Sequence, residues 1–440
     1  MPTMTGFNSS TAALSALLPA TPKPAVTARD MQRGAKLRLF VYPLEWPYAG
    51  QIVEYVEKRA RELLKVQCAY LREDTCPNRG FSHLENLRSH CTDVPILYKL
   101  LQAAHIEPDP AKADIFVVPF LMGCNAMLGW GHGMHRVNAK HHNAFVRNFT
   151  RFAREQLPHF ATWPHRHLFL FPIDSMFAPK WLKGSMLAHT GSGYISSKQL
   201  DVPVPYLVSL PSASIAPSTI AASAQPRTNL VFLMASPSRN KVRYEVAGQL
   251  REARDGAGGG SSWLRSALSS PPPASSSSLR GHGIELYETD MRKEKTMPLS
   301  ADETMRRMRD TTFCVAPTGD SDGFTQRFYY ILAAGCIPVR VDTYYPDLSF
   351  GRVAWPSKQT IQWHRAVVLL PPEKLRTVGL LPMLANISDT QIEKMREYIS
   401  RVVRPHVLFD YRGRQPDAFS AFLDELLFLA KERLPPLDKK

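Results

Sequence analysis

The chain has 440 residues, 44% of them hydrophobic and 21% charged, which excludes a disordered polypeptide and leaves room for two α/β domains rather than one. A formal net charge of +15 favours anionic partners of some kind without choosing among them. The basic residues are scattered, no zinc-ribbon spacing occurs among the six cysteines, and no RNA-binding aromatic signature is present, so the charge reads as a solvated basic surface with one anion site rather than as a nucleic-acid interface.

Residues 1–35 are rich in Ser, Thr, Ala and Pro and read as a disordered stalk or leader, without the apolar core of a secretory signal. Order is expected from Lys36. The run 37–44 (LRLFVYPL) predicts a strand ended by proline, and 53–64 has helical spacing. So does the stretch after Val94, where Leu97, Leu100, Leu101 and Ala104 share a face. Residues 113–119 (ADIFVVP) predict a second buried strand. The longer apolar run 115–130 is interrupted by Pro119, Gly123 and Asn125 and is too short to span a membrane. A helix over 143–156 and strands at 167–172 (HLFLFP) and at VPVP from Val202 complete a first α/β domain, 36–210. Four histidines (His132, His135, His141, His142) fall within this half at spacings that match no metal motif.

Residues 211–226 read as a linker, after which the pattern restarts in a second domain, 227–404. Strand 230–235 (LVFLMA) leads to helix 242–254, then to a low-complexity insertion, 255–283. Ser300 to Glu303 spells a capping box opening a helix to Asp310, followed by strand 311–316, a loop, helix 327–334 closed by Gly335, and strand 336–341. Ser388 to Gln391 caps another helix, and a last helix over 419–429, in segment 405–440, is placed to pack back across the domain boundary. Cys314 and Cys336 lie in apolar runs and read as core; Cys68, Cys76, Cys91 and Cys124 have the makings of two bridges in an oxidising lumen. Asn8, Asn148 and Asn386 each open an N-x-S/T sequon.

The chemistry concentrates in 313–345. Gly319 and Gly323 allow close backbone approach to a ligand, and the loop delivers a helix N-terminus suited to phosphate. Arg327 lies in that helix's first turn, placed to fork onto a diphosphate. Asp320-Ser-Asp322 spells D-x-D, but its carboxylates are better read as turn and N-cap groups than as metal ligands. Asp174, at the carboxyl end of strand 167–172, is the candidate general base, with a loop or cap carboxylate as the competing reading.

Phe313-Cys314-Val315-Ala316-Pro317, Gly319-Asp320-Ser321, Arg327 and Gly335-Cys336-Ile337-Pro338-Val339 resemble the C-terminal signature of the exostosin-like glycosyltransferases. In the right order, LFVYPLEW at Leu39, DPAKADIFVVPFL at Asp109, HRHLFLFPIDS at His165, RTNLVFLMA with Arg239 and Arg243, and Phe350…Trp355 are similar to the family's other elements. The resemblance implies a GT-B-type fold, two Rossmann-like domains whose parallel sheets face a shared cleft. It implies inverting transfer from a UDP-sugar to a polysaccharide or glycoprotein acceptor, with no metal and no cofactor beyond the donor. It places Gly319, Asp320, Ser321, Thr325, Arg327, Tyr330, Arg239 and Arg243 at the nucleotide-sugar, with Lys241 adding charge. It implies the Golgi lumen and attachment to its membrane, although no anchor is visible here. Two positions depart from the family: Tyr330 stands where a Glu is usual, and Met234-Ala235 where Arg-Gly is common. Those departures motivate an alternative, a catalytically weak or inactive glycan-binding protein on the same scaffold.

Overall fold

The computed structural model describes residues 25–42, 88–124, 157–172, 200–208, 227–236, 241–256, 283–288, 299–317, 324–341 and 355–434, with further positions between 53 and 62, 150 and 155, and 180 and 190. Two wholly parallel sheets organise it. The first has six strands, β1 (Arg38–Val41), β2 (His105–Ile106), β3 (Ile115–Val118), β4 (His167–Leu170), β5 (Met186–His189) and β6 (Asp201–Pro203), in the order β2-β1-β3-β4-β5-β6. The second has five, β7 (Asn229–Ala235), β8 (Gly283–Glu288), β9 (Thr311–Val315), β10 (Ile337–Val341) and β11 (Val368–Leu370), in the order β11-β10-β9-β7-β8. In each sheet the first strand lies between the second and third, so winding reverses there. That creates a switch point, β1/β3 in one sheet and β7/β9 in the other, where crevices open beyond the strands' carboxyl ends. The fold is the α/β, GT-B-like pair of Rossmann-type sheets that the sequence predicts.

Both faces of the first sheet are buried, as parallel sheets require. Alternation sorts its residues: Leu39, Val41, Ile115, Val117, Leu168 and Leu170 enter one core, Phe40, Phe116, Val118 and Phe169 the other. Helix α1 (Ala28–Gly34) and helix α2 (Asp93–Ala103) lie on the aliphatic side, where α2 is buried nearly all round rather than on one stripe. The second sheet carries α3 (Lys241–Gly256), α4 (Ala301–Arg309) and α5 (Gln326–Ala334). After β11 come α6 (Pro372–Thr377), α7 (Leu380–Ala385), α8 (Asp389–Tyr398) and the short α9 (Arg404–Val407). The last helix, α10 (Ala418–Phe428), leaves the second sheet and places Phe419, Phe422, Leu423 and Leu426 in the first sheet's aliphatic core. Lys99 on α2 holds it there: its buried Nζ donates to Asp417 Oδ2 at 2.5 Å and to the Asp410 carbonyl at 2.7 Å.

Several expectations change. β2, β5, β8 and β11 carry too short or too weak an alternation to be read in advance. α3 runs to Gly256 and β8 starts at Gly283, so the low-complexity segment is bounded by regular structure at both ends. Ser300 accepts from Glu303 N but the reciprocal half of the box does not form, because Glu303 pairs with Arg306 and Arg307 instead. At Ser388 both halves form. Cys314 and Cys336 are buried as expected but joined in a disulfide, since β9 and the end of α5 bring their Cα atoms to 5.9 Å. Cys91 and Cys124 form a second bridge. Cys68, Cys76 and the four histidines from His132 to His142 lie outside the described residues.

Candidate active site

The chain leaving the first sheet reaches α5 of the second. Tyr206, just past β6, packs its ring edge-on at 4.7 Å from His90 and at 5.9 Å from Tyr329 on α5. Leu207 N donates to the Ser89 carbonyl at 3.1 Å, tying this exit strand to the segment that opens α2. The exit from β6 is thereby set against both α2's entry and α5.

On the second sheet, β7 and β9 flank the switch point, and the helices that follow them, α3 and α5, both begin there. Arg243 lies in the first turn of α3 and Arg327 in the first turn of α5. Among the described residues no side chain caps the entry to α5. Thr325 takes the N-cap position in extended conformation, and its hydroxyl closes none of the helix N–H groups. Asp320 and Asp322, whose carboxylates were expected to serve as turn and N-cap groups, lie outside the described residues. A hydrophobic staple sets the entry angle instead: Phe324 packs at 4.7 Å from Phe328 and 6.0 Å from Tyr329, against Trp355 at 4.6 Å, under the Arg340 guanidinium at 4.7 Å. Phe328 N donates to the Thr325 carbonyl at 3.0 Å, and among the described residues the N–H groups of Gln326 and Arg327 have no acceptor, which leaves them to a ligand.

Two side chains add to them. Arg327 is half-buried, and its Nε is enclosed without a hydrogen-bond partner among the described residues, as is Gln326 Nε2 beside it. Removal from water, and then the positive charge of Arg243, pull the Arg327 guanidinium down to about 9. Arg227 is a useful contrast. Burial lowers it to about 9 as well, but its NH groups donate to the carbonyls of Met308, Thr311 and Gly335, which makes it a brace. At the head of α5 the donors converge with positive charge and, among the described residues, no acceptor. Chemically, that set suits a diphosphate: anionic, multiply accepting, and favoured by the helix dipole.

The predicted site residues divide accordingly. Thr325, Arg327 and Arg243 come together at the switch point. Tyr330 does not share their environment: although three residues beyond Arg327, it is fully buried in the core of the second sheet. Met234 is likewise buried within β7. Gly319, Asp320, Ser321, Arg239 and Asp174 lie outside the described residues. Gln326 escaped sequence reasoning; its position at the first residue of the same helix, with two amide donors, was the available signal. The buried pair His189 and Asp201, 3.2 Å apart at the carboxyl end of β5 and the start of β6, was missed because strand β5 itself was not legible. Among the described residues no three His, Cys, Asp or Glu side chains cluster as a metal site would need, and no helix is long and apolar enough to cross a membrane.

Comparison with curated proteins gave no match. The family model of the exostosin GT47 domain matches residues 33–383, which takes in both sheets and the whole switch-point site. The chain therefore belongs to the exostosin GT47 family of glycosyltransferases.

Proposed function

We propose that this protein is an inverting glycosyltransferase that moves a sugar from a UDP-sugar to a polysaccharide or glycoprotein acceptor in the Golgi lumen. The observation that carries the reading is the convergence of Arg327, Gln326 and the N-terminus of α5 near Arg243, with no acceptor among the described residues. A base on the first domain takes the acceptor hydroxyl proton; Asp174 has that role by its place just beyond β4. The alkoxide attacks the anomeric carbon from the face opposite the diphosphate, the glycosidic C–O bond breaks, and UDP leaves with the electron pair. The arginines and helix N–H groups then stabilise charge where it grows. Two buried disulfides, Cys91–Cys124 and Cys314–Cys336, support an oxidising compartment.

Calorimetry with UDP tests the donor site. Arg327→Met should weaken binding by about 1.5–3 kcal/mol, the range of a charge-assisted hydrogen bond. It should also raise the melting temperature of the ligand-free protein, because a poorly solvated cation facing Arg243 is removed. A purely structural arginine gives the reverse: lower melting temperature and unchanged UDP affinity. The same reading assigns no metal to the diphosphate, so EDTA should leave the UDP affinity unchanged; loss of binding that manganese restores would assign the D-x-D loop to a metal.

The second reading, glycan binding without transfer, is favoured by the core positions of Tyr330 and Met234, which present no charged group to the nucleotide. Release of UDP from a panel of UDP-sugars, with and without glycan acceptors, separates the two: turnover supports the transferase, and UDP binding without turnover supports the binding protein.

A further inference from the structure

We infer that Asn386 is an N-glycan attachment site that is filled while the chain is unfolded and closed to modification once the second domain folds. The inference rests on the lumenal reading above for access to the modifying enzyme.

Asn386-Ile387-Ser388 is a complete sequon, with no proline at either following position. The fold puts Asn386 in the turn between α7 and α8, where it is the exposed C-cap of α7. A glycan there meets solvent. α7 is fastened to the middle of α3, since Gln249 accepts from Leu380 N at 2.9 Å and donates to the Leu375 carbonyl at 2.7 Å. Arg243 lies on α3 six residues before Gln249, about 9 Å along the axis at the helical rise, so the sequon is set back from the switch point.

The folded sequon is unsuited to modification. Asn386 is in right-handed helical conformation, φ −80° and ψ −6°, not extended. The Ser388 hydroxyl, through which the motif is read, is the N-cap of α8: its Oγ accepts from Gln391 N at 3.3 Å and donates to Gln391 Oε1 at 3.2 Å, while Ser388 N donates to the same Oε1 at 3.0 Å. The same hydroxyl therefore serves the sequon in the unfolded chain and the capping box in the folded one. In the transfer, the Asn386 amide nitrogen bonds to the anomeric carbon of a polyprenyl-diphosphate-linked oligosaccharide. The anomeric C–O bond breaks, the lipid diphosphate leaves with the electron pair, and one amide proton is lost.

The test exports the full chain through a eukaryotic secretory pathway behind a cleavable signal, with Asn8→Gln and Asn148→Gln so that Asn386 alone is open to modification. Intact mass is read before and after peptide N-glycosidase. The expected result is a single glycan that the enzyme removes and that N386Q abolishes; a secreted protein with the mass of the bare polypeptide overturns the site. For the timing, unglycosylated protein is offered to endoplasmic-reticulum membranes folded with its disulfides closed, and again reduced and unfolded. Acceptance by the unfolded form alone is expected, and equal acceptance by the folded form overturns the closure. Failure of the lumenal reading shows separately, as reduced Cys91, Cys124, Cys314 and Cys336 in protein taken from its own cells, whatever the exported chain's mass.

Discussion

Arg227 and Arg327 lose comparable solvation, and burial pulls both guanidiniums down to about 9. What distinguishes a structural arginine from a binding one is therefore not the shift but what receives its protons. Among the described residues the Nε of each is without an acceptor, but three backbone carbonyls receive the NH protons of Arg227, whereas none receives those of Arg327. Asp93 shows the same logic with a carboxylate. Its oxygens accept from Val94 N, Gly123 N and Cys124 N, but desolvation outweighs these and raises it to about 7. The folded state thus holds this proton between pH 3.8 and 7 while the unfolded state releases it, so stability falls as pH rises through that window and levels off above it. The shift corresponds to a change on the order of 4 kcal/mol. Asp93→Asn should remove that descending component, which urea titrations across pH 4 to 8 will read as a more positive slope of stability against pH than the parent's. Parallel slopes for the two proteins would place the Asp93 proton outside the folding equilibrium.

At the scale of elements, α5 is fixed at one end and open at the other. Gly335, at φ 69°, ends it in the left-handed conformation that glycine accommodates, Arg227 bonds the Gly335 carbonyl, and Cys336 is bridged to Cys314 on β9. The disulfide, with a sequence separation of 22, spans from the end of β9 to the end of α5. Replacing both cysteines, Cys314→Ala with Cys336→Ala, should cost roughly 3 kcal/mol of stability by the loop-entropy argument. UDP affinity should weaken with it, because the helix that aims Arg327 loses its anchor. Equilibrium unfolding and calorimetry on the same variant decide this; an unchanged urea midpoint would mean that the bridge constrains nothing the fold does not already hold.

At the scale of the whole molecule, the chain closes on itself. α10 completes the first sheet's aliphatic core although it follows the second sheet in sequence, and the buried Lys99–Asp417 pair marks its seat. Lys99→Met leaves Asp417 charged and unpaired in the core and should destabilise the protein by about 3–5 kcal/mol. Adding Asp417→Asn should recover part of that loss, since Asn still caps α10 without a buried charge. Thermal unfolding of the single and double variants checks the coupling. Additive losses would show that the two residues do not act as a pair.

Local chemistry made much of this protein legible before any coordinates. The strands β1, β3, β4, β7, β9 and β10 are dense apolar runs, and hydrophobic runs of that kind announce a parallel sheet buried on both faces. Gly335 announced a helix end, Ser388 a helix start, and Arg327 a cation in a first helical turn, because caps and dipoles are properties of a few consecutive residues. The short strands β2, β5, β8 and β11 were not legible, since two to six residues gain strand character only from the neighbours they pair with. The same holds at the site. The sequence placed Tyr330 beside Arg327, but packing against the second sheet turned it into the core. The meeting of Arg243 with Arg327, separated by more than eighty residues of chain, depends on β7 and β9 lying side by side. Strand pairing and burial are long-range events, and no local periodicity encodes which cation will be left without an acceptor.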